Sequence, residues 1–119
     1  MQPTLQLLHN PDCSKSRAAL AWLTERGLPF EVRNYLEDPL DGPELDRLRA
    51  GLDAPWQEWV RGEDLVARIE QLPGDQRWPA LRQGLLEQPA NLQRPIVVAG
   101  DRAVVARPLE RLADWLAVD

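Results

Sequence analysis

A chain of 119 residues with 44% hydrophobic and 28% charged residues holds enough apolar material for one buried core of ordinary domain size. Its net charge of −5 and the absence of a basic stripe exclude a broad nucleic-acid footprint. No apolar run approaches the roughly 18 residues that a membrane span requires, and the opening Met-Gln-Pro-Thr-Leu-Gln-Leu-Leu has neither the basic lead nor the long apolar stretch of a secretion signal, so a reducing cytoplasm is the expected compartment.

Thr4 to Leu8 is short and apolar and runs into the polar knot His9-Asn10-Pro11-Asp12, a pattern that predicts a buried strand and then a loop. The character changes from Ser14 onward, and Ser16 to Arg26 favours helix, with Ala19, Leu20 and Leu23 at core-facing spacing and Gly27 where a helix C-terminal glycine belongs. Phe30 to Tyr35 alternates apolar and polar, which predicts a second strand parallel to the first. Six prolines then divide an insert spanning about 40–92, in which Pro43 to Ala50, Glu63 to Leu72 and Pro79 to Glu87 carry helical patterns. Trp56, Trp59 and Trp78 are the expected anchors of this insert on the sheet. Ile96 to Ala99 reads as a strand buried on both faces, Gly100-Asp101 as a two-residue hairpin turn, and Arg102 to Ala106 as the returning strand. Pro108 fits the first position of a last helix carrying Leu109, Leu112, Trp115 and Leu116. Residues 1–119 thus read as one α/β domain: a four-stranded mixed sheet with flanking helices and an all-helical insert between strands 2 and 3.

The chain has one cysteine, Cys13, and one histidine, His9, so an internal disulfide framework and a multi-cysteine zinc site are excluded. A histidine-based triad or metal site would have to be built around His9. Of the 14 basic residues all but Lys15 are arginine, so an anion site here is made mainly of guanidinium groups, which grip oxyanions in bidentate fashion.

Cys13 falls between a strand end and a helix start, where first-turn N–H groups stabilise an anion and lower a thiol pKa. Lys15, Arg17 and His9 are close enough in sequence to add positive potential. The bland alternative is a small buried hydrophobe, the usual state of a lone cysteine. Ser16 stands where a second cysteine would complete Cys-x-x-Cys, so any redox cycle needs a thiol from another molecule. Its hydroxyl either bonds the thiolate or simply starts the helix. In Arg94-Pro95 and Arg107-Pro108 the proline pushes each arginine toward extended geometry, and a hairpin between them brings the two together. Ordinary surface arginines at strand ends carry equal weight on this evidence, and Arg61 has no local signal of its own.

His9-Asn-Pro-Asp-Cys-Ser-Lys-Ser-Arg17 resembles the active-site signature of the glutaredoxin-dependent arsenate reductase (ArsC) family. Leu92 to Val98 resembles its second signature and Ala106 to Leu109 its third. Ser14-Lys15 replaces the Gly-Thr of the arsenic-resistance members and is closer to a chromosomal branch with the pattern HNPxCSKSR. The resemblance implies a thioredoxin-like fold, Cys13 as the nucleophile toward arsenate, and Arg61, Arg94 and Arg107 as oxyanion-binding residues. It further implies His9, Asn10, Ser16 and Arg17 as supports of the loop and a cis peptide at Arg94-Pro95. No bound cofactor and no metal is implied. The resemblance implies glutathione as co-substrate and glutaredoxin as protein partner, and the chain is expected to be a monomer without nucleic-acid or membrane partners. Two other functions fit the same fold: general thiol transfer, and a non-catalytic regulatory or binding role.

Overall fold

A computed structural model describes residues 4–52 and 54–117; residues 1–3, on which part of the leader reading rests, lie outside it. The elements are β1 (Leu5–His9), α1 (Ser14–Glu25), β2 (Phe30–Asn34), α2 (Gly42–Gly51), α3 (Glu63–Glu70), α4 (Gly74–Glu87), β3 (Ile96–Ala99), β4 (Arg102–Val105) and α5 (Glu110–Ala117). Short 3-10 turns cover Trp56–Glu58 and Pro89–Asn91.

The strands form one mixed sheet in the order β2-β1-β3-β4, with β1 parallel to β2 and the other two pairings antiparallel. The alternation of the strands decides what each face receives. Leu5 and Leu7 of β1, with Val97 and Ala99 of β3, pack against Ala19, Leu23 and Leu112 from α1 and α5. Leu8, Ile96, Ala103 and Val105 point the other way, into the apolar side of α2, α3 and α4. The result is three layers, with the central strands β1 and β3 largely buried and β2 left partly exposed at the edge.

The insert is tied down at several points. Trp59 is buried among residues of both the sheet and the helices, and its ring lies 6.1 Å from that of Trp78, so the expected tryptophan anchoring is observed. Asp41 and Glu44 close a capping box at the start of α2. Arg33 of β2 ion-pairs with Glu44 and donates to the carbonyl oxygens of Asp38 and Pro39, joining α2 to the sheet edge. That pairing, chiefly the hydrogen bonds from Arg33, holds the Glu44 carboxyl down to about 2. At the far end, a Cβ on Gly51 would lie 2.4 Å from the Asp101 carbonyl oxygen, so only glycine lets α2 approach the β3–β4 turn this closely.

Three expectations need correction. β1 extends through His9, which pairs with Asn34 rather than opening the loop. Helix α4 starts at Gly74, not Pro79, so Pro79 lies inside it. The residues before Pro79 carry no apolar stripe, and the helix gains there from tertiary contacts: Trp78 packs on Trp59 and donates Nε1–H to Asp46 at 3.3 Å. Helix α5 begins at Glu110 rather than Pro108, because the Pro108 and Leu109 carbonyls accept from Arg111 and Leu112 in a tighter turn that precedes it. The other boundaries agree within a few residues.

Candidate active site

Strand β1, interior to the sheet, ends at His9, and a tight loop turns the chain into α1. The Cys13 N–H donates to the Asn10 carbonyl at 3.0 Å, and the Asp12 N–H donates to Asn10 Oδ1 at 3.0 Å. Asn10 thereby closes the loop from both its backbone and its side chain. Cys13 is the N-cap of α1, in extended backbone conformation (φ −101°, ψ 123°), and its carbonyl accepts from Arg17 N–H. The thiol is 9% exposed. Burial pushes its pKa up, but the backbone N–H groups of Ser16 and Lys15 and the guanidinium of Arg94 together outweigh that cost, and the pKa lies below the ordinary thiol value. A small buried hydrophobe would show the burial effect alone.

Beneath the loop, Ser16 is fully buried and its Oγ lies 2.6 Å from His9 Nδ1 while accepting the Asn10 N–H at 3.0 Å. Ser16 therefore reaches the sulfur through its backbone, and its hydroxyl serves the loop. His9 is also buried, and burial together with the nearby Arg17 charge lowers its pKa. A neutral imidazole supplies no positive potential, so the expected electrostatic help from His9 is replaced by a structural role. Arg17 donates to the Pro11 carbonyl at 2.8 Å and pins the loop from outside.

The two Arg-Pro pairs meet as the hairpin requires. Ala106 N–H donates to the Pro95 carbonyl at 3.0 Å, and Arg107 Nη1 donates to the Arg94 carbonyl at 3.3 Å. Both Arg94-Pro95 and Arg107-Pro108 are cis; the first was implied by the resemblance and the second was not. Arg94 is the arginine whose guanidinium interacts with Cys13, and its Nε is buried without a hydrogen-bond partner among the described residues. Arg61 arrives by a different route. Val60 and Leu92 form an isolated antiparallel bridge, in which Arg61 N–H donates to Asn91 O at 2.7 Å and Gln93 N–H to Trp59 O at 2.9 Å. That bridge fastens Arg61 beside the segment leading to Arg94. The guanidinium that acts electrostatically on the sulfur is that of Arg94, whereas Arg107 and Arg61 are held next to the Arg94 segment.

No family model matches the chain. It is 39% identical over 112 residues to a protein named arsenate reductase in serogroup A Neisseria meningitidis, covering 92% of this chain and 96% of the relative. The chain belongs to the ArsC arsenate reductase family. A solved structure of arsenate reductase from Vibrio cholerae superposes with a TM-score of 0.79 at 33% identity, over 96% of this chain and 98% of that one. This agrees with the thioredoxin-like ArsC architecture seen here. Similarity also extends to a protein named global transcriptional regulator Spx in Enterococcus faecalis, 29% identical across 97% of this chain and 88% of the relative.

Within this ArsC fold two residues escaped the sequence reading, one in the electrostatic neighbourhood of the sulfur and one joined to the arginine segments. Tyr35, just after β2, is 1% exposed and its hydroxyl faces Leu92 O at 3.5 Å. Burial raises its pKa, with smaller opposing effects from Arg94 and Cys13 that place the phenol in the same electrostatic neighbourhood. Gln93 carries two hydrogen bonds from the arginine segments. Neither bears a charge; Gln93 lies within the Leu92 to Val98 stretch that resembles the second signature, but its side-chain role, like that of Tyr35, shows only through its partners across the fold.

Proposed function

We propose that the chain reduces arsenate to arsenite through the single nucleophilic cysteine Cys13, with glutathione and glutaredoxin supplying the electrons. The observation that supports this most is the lowered pKa of a lone thiol at a helix N-terminus beside Arg94. The thiolate attacks arsenic, a protonated oxygen leaves as water, and an arsenic(V)–sulfur bond forms. Arg94, Arg107 and Arg61 offset negative charge on the oxyanion as it is bound and as water departs. A glutathione thiolate then attacks the Cys13 sulfur. The sulfur–arsenic bonding pair stays on arsenic, which leaves as arsenite, reduced by two electrons, and the two thiols become a mixed disulfide. A glutaredoxin thiolate attacks the glutathione sulfur and releases Cys13. With no second cysteine in the sequence, the return to the thiol needs an external partner. The neutral His9–Ser16 pair and Asn10 hold the loop in one shape through the cycle. The proposed setting is the cytoplasm, with the chain acting as a monomer and no bound cofactor.

Cys13→Ser is expected to abolish turnover in an assay coupling arsenate, glutathione, glutaredoxin and NADPH oxidation. A serine variant that keeps its rate would overturn the reading. The similarity to a protein named as a transcriptional regulator favours a second reading, a regulatory protein without catalysis. Recovery of RNA polymerase from cell extract together with no arsenate turnover would support that reading instead. Faster turnover of a glutathionylated test substrate than of arsenate would point to general thiol transfer.

A further inference from the structure

Gln93, uncharged and within the Leu92 to Val98 stretch, occupies a junction that the charge pattern does not mark. Its Oε1 accepts from the Arg94 backbone N–H at 3.3 Å and from Arg107 Nη1 at 3.2 Å. Two donors converge on that one atom, so the oxygen and not the amide nitrogen must face them, which settles the orientation of the side chain. Its own backbone N–H donates to Trp59 O within the bridge that carries Arg61. One residue therefore touches all three arginine-bearing segments: 59–61 of the insert, 93–94 entering β3, and 107 leaving β4. Arg107 has a second bond, to the Arg94 carbonyl. The two acceptors on neighbouring residues hold its Nη1 group from one side.

We propose that Gln93 is a positioning residue of the oxyanion site, orienting the Arg107 guanidinium and locking it to the Arg94 segment. The inference rests on the reading that Arg107 binds the oxyanion. A guanidinium on a long flexible stem loses side-chain entropy whenever it grips an anion. Two acceptors that fix it beforehand remove part of that cost, and small misplacements at such sites weaken function steeply. Gln93 does this without negative charge. A carboxylate at the same place would hold Arg107 equally well but would offset the positive potential that the anion and the Cys13 thiolate require.

The test is a double-mutant cycle read without turnover: the arsenate concentration that half-protects Cys13 from alkylation by iodoacetamide. Gln93→Met keeps the length of the side chain and removes the acceptor. It is expected to raise that concentration about 10- to 150-fold, the scale of one lost hydrogen bond to a charged group, and to add less than about twofold on an Arg107→Ala background. A Gln93→Met effect that persists in full with Arg107 absent, or no effect while Arg107→Ala alone weakens protection, would overturn the inference. If Arg107→Ala itself leaves protection unchanged, the oxyanion reading of Arg107 falls first and takes the inference with it. Gln93→Glu is the second arm and preserves both acceptor contacts. It is expected to fold like the parent, to weaken protection and to move the alkylation midpoint of Cys13 upward. An unmoved midpoint would place the amide outside the field of the site and overturn the proposal.

Discussion

Replacing Arg94 with methionine separates the two halves of the thiol's environment. The sulfur remains buried and keeps the N–H groups of Ser16 and Lys15, but loses both the hydrogen bond and the charge of the guanidinium. A hydrogen bond to a charged group is worth ~1.5–3 kcal/mol, and one pKa unit corresponds to about 1.4 kcal/mol. The Cys13 pKa is therefore expected to rise by about one to two units, because the removed group favours the ionised form while burial continues to oppose it. Below the thiol pKa the thiolate fraction then falls roughly 10- to 100-fold at fixed pH. The assay is the pH profile of iodoacetamide alkylation, free of interference because the chain has one cysteine. Arg94→Lys, which retains charge without the planar fork, should fall between the two. A midpoint in Arg94→Met equal to that of the parent would show that the helix N-terminus alone ionises the sulfur. The electrostatic account of the site would then be wrong.

Ser16→Ala leaves the Asn10 N–H and the His9 ring without their buried partner, so a loss of ~1–3 kcal/mol in urea unfolding is expected. The alkylation midpoint of Cys13 should barely move, since Ser16 acts on the sulfur through its backbone; a shift as large as that of Arg94→Met would contradict this. Stability should decline on acidification in two windows. His9 has a lowered pKa in the folded state, so its contribution fades as pH falls below its ordinary value of 6.5, where the unfolded chain binds the proton first. Glu44 is likewise depressed, from 4.5 to about 2, and its contribution is lost as pH falls through that interval. Urea midpoints measured against pH should show the upper step vanish in His9→Gln and the lower step shrink in Arg33→Met; a single step unaffected by either substitution would refute the assignment.

Acidic net charge and a lowered Cys13 pKa coexist here because the charges that matter are local. The sulfur feels two neighbouring N–H groups and one guanidinium, while charges elsewhere on the surface are screened over a length of roughly 8–10 Å. The same locality explains why His9, adjacent in sequence, contributes no charge. It lies at the end of β1 under the loop, where desolvation favours the neutral ring.

Much of the architecture follows from local rules that a linear reading can apply. The apolar run Ile96–Ala99, the Gly100 turn and the helix-forming stretch after Cys13 each state their structure within a few residues, and the strand-helix-strand spacing sets the parallel pair. The position of Cys13 at a helix N-terminus, where backbone N–H groups lower its pKa, is equally local. What the sequence by itself could not determine is everything that depends on partners far along the chain. Pro79 lies inside a helix because Trp78 finds Trp59 and Asp46. Ser16 turns from the sulfur because a buried imidazole is waiting, and Arg61 is placed by a two-residue bridge between 60 and 92. Gln93 and Tyr35 become visible only in three dimensions, since an uncharged hydrogen-bonding side chain has no meaning until its donor or acceptor arrives from another segment.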